Sequence, residues 1–344
     1  MSTSHKGVDV AIVGATGIVG EAVLELLQQR QFPVNNLYLL ASERSAGTKL
    51  AFNGKSLSVK LLDEFDFHQV QIAIFVATDQ VSADYIPQAV RAGCIVLDNS
   101  QYYTNDPDVP LVIPGVNIDA LDKINRQGTV IANPDSVVIQ LWTVLKPIYD
   151  LARIVRINVA TYQAVSGQGK RAIKELAVQT ASVLNGRGAK ASFYKKQITF
   201  NVFPAIGELV EQGYSSAEWQ FIQQSKKIID DAQLQLSVTC VQVPVFYADS
   251  MVVNIETESP VNAQEIAKLL KKNNEINVLD DFESGVYATP ATDATSADTV
   301  FVSRIRNDLH HDCGLNMWIV GDNVRKGAAL NTVQIAENLI KSHL

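Results

Sequence analysis

The sequence predicts an α/β protein of two domains, the first a helix-wrapped parallel sheet and the second a mixed sheet. Three observations predict it. Up to residue 132, short β-branched runs alternate with helical apolar spacing, the signature of βαβ units. After Asn133 the strand-like runs lengthen, and several alternate apolar with polar residues. The length, 344 residues, suits two domains rather than one.

The elements follow in order. Asp9 to Val13 is the first strand. Val19, Val23, Leu26 and Leu27 then recur on one face of a helix that ends near Gln31. Further strands are expected at 37–41 (LYLLA), 72–77 (IAIFVA), 94–98 (CIVLD) and 129–132 (TVIA). In the second half the runs at 152–163, 234–243, 250–257, 299–306 and 316–320 form a sheet with one face covered and the other wet or available to a partner. Ile173, Leu176, Thr180 and Val183 mark a helix that stops at Gly186. Another starts at Asn262 with Glu265 three residues on, a capping-box pattern, and buries Ile266, Leu269 and Leu270. Ala329, Val333, Ala336 and Ile340 define the last helix.

Composition narrows the function classes. Apolar residues at 47% and charged residues at 19% build a real core. The net charge is −7 and no basic cluster offsets it locally, so nucleic acid and anionic membranes are not expected as partners. No apolar run approaches the ~18 residues of a membrane span. The opening MSTSHKGVDVAIVGATG reads as a first strand, not a signal peptide. Cys94, Cys240 and Cys313 are too scattered for a disulfide framework, and a cytoplasmic location is expected.

Gly14, Gly17 and Gly20 lie between the first strand and its helix, where glycine allows a tight turn and close approach to a pyrophosphate. The spacing is GxxGxxG rather than GxGxxG, and its strand–turn–helix setting supports a Rossmann-like NAD(P) site. The turn Gly14, Ala15, Thr16, Gly17, Ile18 and Val19 is the expected cradle. After the second strand, Arg44 between Ser42 and Ser45 suits a 2′-phosphate and favours NADP; Glu43 keeps NAD open.

At this point the chain resembles the aspartate-semialdehyde dehydrogenase family over nearly its whole length. GATGIVG, SERSAG, DPDVPLVIPGVN, IANPDS, TYQAVSGQGK, VPV at 243–245 and DNVRKGAALNTVQIAE stand in the family's order. The resemblance implies a Rossmann-like domain at 1–132 with 323–344, to which the last helix returns, and a mixed α/β substrate and dimerisation domain at 133–322. It also implies a homodimer and adds Gly167 and Asn323 to the cofactor residues. The implied reaction is NADP-dependent phosphorylating aldehyde oxidation through a cysteine thioester, within amino-acid biosynthesis.

The residues of that chemistry are mostly replaced. The family's nucleophilic cysteine is Ser136, after Asp135 in place of Asn. The arginine opening the family's RVPV run is Gln242, and the histidine seven positions on is Asp249. The arginine that the resemblance implies just before DPDVP is replaced by Thr104, and the lysine two residues after Glu218 by Gln220. Gln163 and Glu218 match, while Ala77-Thr78-Asp79-Gln80 brings an anion to a small turn near the nicotinamide. The resemblance is closest to the Usg-type homologues, which keep the fold and lack the cysteine. Three readings follow: a family member without the dehydrogenase activity that keeps NADP binding, an NAD(P)-dependent oxidoreductase with altered chemistry, and an authentic dehydrogenase using a serine, the least favoured. Ser136 itself reads as a helix N-cap. His310, His311, Asp312 and Cys313 are adjacent in sequence and rarely could face one ion, so no metal is expected.

Overall fold

The computed structural model describes residues 7–124, 128–281 and 283–342. The chain divides into two compact units, residues 1–135 with 328–344, and residues 136–327. The breaks fall a few residues from 132/133 and 322/323. Asn323 stays in the second unit because its side-chain oxygen accepts from Ser166 Oγ and from the amide of Ala248.

The first unit carries strands β1 (Val8–Val13), β2 (Val34–Ala41), β3 (Lys49–Phe52), β4 (Lys55–Ser58), β5 (Lys60–Leu61), β6 (Ile72–Phe75), β7 (Ile95–Asp98) and β8 (Thr129–Ala132). Six of them form one sheet in the order β5-β2-β1-β6-β7-β8, with every pairing parallel. Helices α1 (Ile18–Gln29), α2 (Asp79–Arg91) and the short α3 (Pro114–Asn117) accompany it. β6 and β7 are buried along their whole length and apolar but for Asp98 at the end of β7, as a parallel sheet covered on both sides requires. Val23, Leu26 and Leu27 of α1 join Val333, Ala336 and Leu339 of the last helix, α8 (Asn331–Ser342), in one core cluster. The chain runs from β1 to β2 on one side and resumes at β6 on the other, so β1 and β6 flank the topological switch point, where such sheets bind ligands.

The second unit contains α4 (Ser136–Leu151), β9 (Ile154–Gln163), α5 (Lys170–Leu184), α6 (Ser216–Ile229), β10 (Gln235–Gln242), β11 (Asp249–Thr257) and α7 (Ala263–Leu270). It continues through β12 (Ile276–Val278), the two-residue strands β13 (Asp280–Asp281) and β14 (Val286–Tyr287), β15 (Val300–Asn307) and β16 (Gly314–Gly321). Its main sheet has the order β10-β9-β11-β16-β15-β12 and is mixed, with β9/β10 and β12/β15 parallel and the rest antiparallel. Alternation along the strands gives each face its character. Ile157, Met251, Val253, Ile255, Met317 and Ile319 are buried on one side, while Val252 on the other is 40% exposed.

Several local expectations change. Asn262 does cap α7, accepting from the amides of Gln264 and Glu265. The complete capping box is found instead at Ser215 and Glu218 on α6. The run at 299–306 is broken by a register shift between Ser303 and Arg306, with Arg304 in the left-handed region and Asp280 accepting from the amides of Arg304 and Ile305.

Candidate active site and nucleotide turn

In the first unit the glycine turn hangs over the carboxyl ends of β1 and β6. Gly14 has φ of +87°, and a Cβ there would stand 2.5 Å from the carbonyl oxygen of Val76. A Cβ on Gly20 would stand 2.4 Å from the oxygen of Gly14, so α1 meets its own turn at backbone distance. The amides of Gly14 and Ala15 donate to Leu40 O and that of Gly17 to Gly14 O, which fixes the loop and leaves Thr16 at its tip. Gly17 is the N-cap of α1, so the amides of Ile18 and Val19 belong to the first turn, where no intrahelical carbonyl reaches. This cradle fits a dinucleotide pyrophosphate. Gly14→Ala is expected to destabilise the chain by about 2–4 kcal/mol, combining left-handed strain with a backbone clash. A urea melt within ~0.5 kcal/mol of the parent would contradict that packing.

Ser42, Arg44 and Ser45 lie in the turn just after β2, beside β1 in the sheet. Arg44 is exposed, and among the described residues no hydrogen bond or ion pair engages its guanidinium. Asp79 opens α2 on the far side of the switch point, exposed, with one carboxylate oxygen accepting from the amide of Gln101. Thr104 is buried in the same loop region, and its hydroxyl donates to Gln101 O. A residue without charge is thus folded away at a position where the resemblance implies an arginine.

In the second unit Ser136 is the first residue of α4, and its hydroxyl donates to Asp249 Oδ2 at 2.9 Å. This corrects the N-cap expectation: the helix begins at Ser136 itself and its side chain is spent on β11. Asp249 is buried, and its Oδ1 accepts from the amide of Ala164 at 2.8 Å. Both carboxylate oxygens therefore have a donor. Two glycines bring α4 this close. A Cβ on Gly327 would stand 2.6 Å from Ser136 Cβ, and one on Gly321 would stand 2.8 Å from Gln140 Cδ.

The parallel register of β9 and β10 sets Gln242 directly beside Gln163. Gln242 is buried; its Nε2 donates to the backbone oxygen of Gln163 at 2.6 Å, and its Oε1 accepts from Gln168 Nε2 at 2.9 Å. Gln168 is a site residue that the sequence reading missed, although it lies in the TYQAVSGQGK run. Gln163 Nε2 donates to Thr161 Oγ1. Glu218 is buried, with one oxygen accepting from the amide of Ser215 and the other from that of Cys240. Its carboxylate is thus committed to backbone amides, while Gln220 is half-buried. The exposed Gly167 faces the buried Asn323, whose Nδ2 lies 3.7 Å from where a Gly167 Cβ would be. Hydroxyl, amides and a paired carboxylate compose this site, and no cation stands among the candidate residues that compose it in this unit.

None of the three cysteines stands at the Ser136 position. Cys94 is fully buried before β7, its Sγ donating to the carbonyls of Phe67 and Val70, and burial pushes its thiol up to about 11. Cys240 is buried in β10 and Cys313 is partly exposed. Among the described residues no group of three or more His, Cys, Asp or Glu side chains could hold a metal ion, and no helix is long and apolar enough to cross a membrane.

Comparison with known proteins places these features. The semialdehyde dehydrogenase NAD-binding domain model matches residues 9–124, and the semialdehyde dehydrogenase dimerisation domain model matches 145–326. Aspartate-semialdehyde dehydrogenase 2 of Vibrio cholerae is 46% identical over 335 residues, covering 97% of this chain and 98% of that protein. The Legionella pneumophila aspartate-semialdehyde dehydrogenase is 46% identical over 339 residues, 98% of this chain and 97% of its own. A crystal structure of aspartate semialdehyde dehydrogenase II from Vibrio cholerae superposes with a TM-score of 0.95 at 45% identity, covering 98% of this chain and all of that one. With an NAD(P)-binding Rossmann-like domain and a mixed α/β dimerisation domain both matched, the chain belongs to the aspartate-semialdehyde dehydrogenase family.

Proposed function

We propose that this chain is a Usg-type member of its family, lacking the phosphorylating dehydrogenase activity while retaining weak NADP binding and forming a homodimer through the second unit's sheet. The observation that carries the reading is the Ser136–Asp249 pair at 2.9 Å. A hydroxyl and a carboxylate occupy the positions that the resemblance gives to a thiol and an imidazole, so a poor nucleophile faces a weak base. Gln242 and Thr104, at two of the positions the resemblance gives to cations, are closed into internal hydrogen bonds. Neither residue offers a counter-charge to a substrate carboxylate or to phosphate. Steady-state assay with aspartate semialdehyde, phosphate and NADP tests this directly, and robust turnover overturns it.

A second reading, an NAD(P)-dependent oxidoreductase acting on another substrate, draws on the intact nucleotide turn and on relatives of 46% identity that are named as dehydrogenases. A thermal-shift ligand screen separates the two, since a ligand bound to the folded state raises its apparent stability.

NADP is preferred over NAD through Arg44, whose exposed guanidinium is available to a 2′-phosphate, whereas Asp79 repels phosphate and keeps affinity low. Arg44→Ala is expected to weaken NADP binding about ten- to a hundredfold and to leave NAD nearly unchanged, as loss of a charge-assisted contact of ~1.5–3 kcal/mol requires. Calorimetric titration reads both. Tighter binding of NAD by the parent would assign the ribose to Glu43 instead. The reading places the protein in the cytoplasm.

A further inference from the structure

We propose that the outer face of α5 docks an acidic amphipathic helix of a partner protein, its cations meeting the partner's carboxylates and its exposed Val178 and Leu184 meeting the partner's apolar stripe.

Between Lys170 and Lys196 the sequence holds seven Lys and Arg residues against one acid, Glu175, in a chain whose net charge is −7. This corrects the expectation that no basic cluster offsets the net charge locally. All seven cations are exposed, whereas Glu175 is buried, its carboxylate turned onto the Ser192 hydroxyl and the amides of Phe193 and Tyr194. The surface of this segment is therefore basic. Lys195 alone of the seven has an acid in ion-pair reach among the described residues, Glu208 at 3.7 Å, and both of those side chains are highly exposed. Arg171 lies over the Phe193 ring at 5.5 Å, which holds its guanidinium at the edge of the helix.

The helix carries these charges against its own interest. Lys170, Arg171 and Lys174 crowd its N-terminal end, where the helix dipole disfavours cations, and no acid stands in the first turn. Lys170 and Lys174 are also a like-charged pair four residues apart. Lys170, Lys174, Val178, Ala181 and Leu184 recur at spacings of four and three, so they share one side of the helix. On that side Val178 is 55% and Leu184 72% exposed, and Arg187 follows just past the helix end. A surface that breaks local rules with no gain inside the fold points to a use outside it.

An acidic amphipathic helix answers each feature. Its carboxylates offset the cations at both ends of α5, and its apolar stripe covers Val178, Ala181 and Leu184 between them. A nucleic acid would use the cations and leave Val178 and Leu184 against phosphates. An anionic membrane calls for a broader apolar wedge than two side chains supply. The acidic remainder of the chain repels either extended polyanion more than it repels one short helix.

The probe is a labelled helical peptide of about 15 residues, with Leu at every third or fourth position and Glu flanking the stripe, titrated by fluorescence anisotropy. The full chain should bind it, more weakly as salt rises. Lys174→Glu and Leu184→Glu should each weaken binding at least about tenfold, one through charge and one through apolar contact. Leu309→Glu, at a residue 92% exposed on another surface, should leave it unchanged, and thermal melting confirms that each variant is folded. No binding at about 0.5 mM peptide overturns the proposal. Equal binding of a peptide with the same composition and scrambled Leu positions overturns the helical docking and leaves charge alone. Tighter binding of duplex DNA or of phosphatidylserine vesicles than of the peptide overturns the assignment to a protein partner.

Discussion

With aspartate semialdehyde, phosphate and NADP, the natural chain is expected to turn over at least about 10⁴-fold more slowly than a relative whose site keeps the thiol, the scale of loss when a nucleophile is removed. The Ser136→Cys variant should remain within about tenfold of the natural chain. A cysteine is nucleophilic because a few per cent ionises near neutrality, whereas a serine hydroxyl depends on a general base. Asp249 already accepts from both Ser136 and the Ala164 amide, and a carboxylate is a weak general base toward an alcohol. Placing a thiol beside that carboxylate disfavours the thiolate, because a like charge raises a thiol's pKa. The single replacement therefore meets a base of the wrong kind and no cation to hold substrate. Replacing Asp249 with His and Gln242 with Arg in the Ser136→Cys background should recover activity that no single change does, because catalytic groups that work as a unit are strongly non-additive. Turnover of the natural chain or of the single variant at the level of a thiol-bearing relative would sink the reading; so would substrate-dependent NADP reduction that needs no phosphate, which would favour altered chemistry.

Much of the architecture is legible because local chemistry and global fold agree. The three glycines predict a turn that the backbone requires at Gly14, where φ is positive and a Cβ would collide with Val76. Period-two alternation after Asn133 predicts a sheet with unlike faces, and Val252 against Val253 shows it residue by residue. Helices α2 and α4 are harder to read, since Pro87 and Pro147 lie inside them and proline ordinarily signals a break. The site was legible in residue type but not in partnership. Gln242 meets Gln168 and Gln163 across 74 and 79 positions, a contact that only strand register creates. The resemblance makes Glu218 a residue that helps hold substrate, yet Ser215-x-x-Glu218 is itself a capping-box signature. Serine's preference for helix caps predicts a capping role at Ser136; a long-range acceptor, Asp249, outweighs that preference.

The other large effect is expected at Glu175, far from any reading of the active site. This residue lies on α5 and is buried, and its carboxylate accepts from Ser192 Oγ at 2.6 Å and from the backbone amides of Ser192, Phe193 and Tyr194. One helical turn on, Gln179 donates to Glu175 and to Lys190 O while accepting from the amides of Ile198 and Thr199. Together they clamp the irregular segment 190–199, which places Phe193, Tyr194 and Ile198 in a small apolar cluster with Leu176. Glu175→Ala strips the acceptor from several amides at once and should cost about 2–4 kcal/mol, or roughly 5–15 °C in the Tm of a unit this size. Glu175→Gln keeps the shape but loses the charge and should cost less. The pH dependence has a definite sign. Burial pushes this carboxyl up, but the Ser192 hydroxyl and the three amides outweigh it and hold it below the ordinary glutamate value. A group with a lowered folded pKa stabilises fully above its unfolded pKa of about 4.3 and loses that contribution as pH falls through the folded value. The stability gap between the natural chain and Glu175→Gln should therefore be constant from neutrality to about pH 5 and close progressively below about pH 4. Urea melts at pH 7 and pH 3.5, with amide exchange at Phe193 and Tyr194, measure it. An equal gap at both values, or an alanine variant within ~0.5 kcal/mol of the parent, would mean that the apolar cluster and not the carboxylate holds the segment.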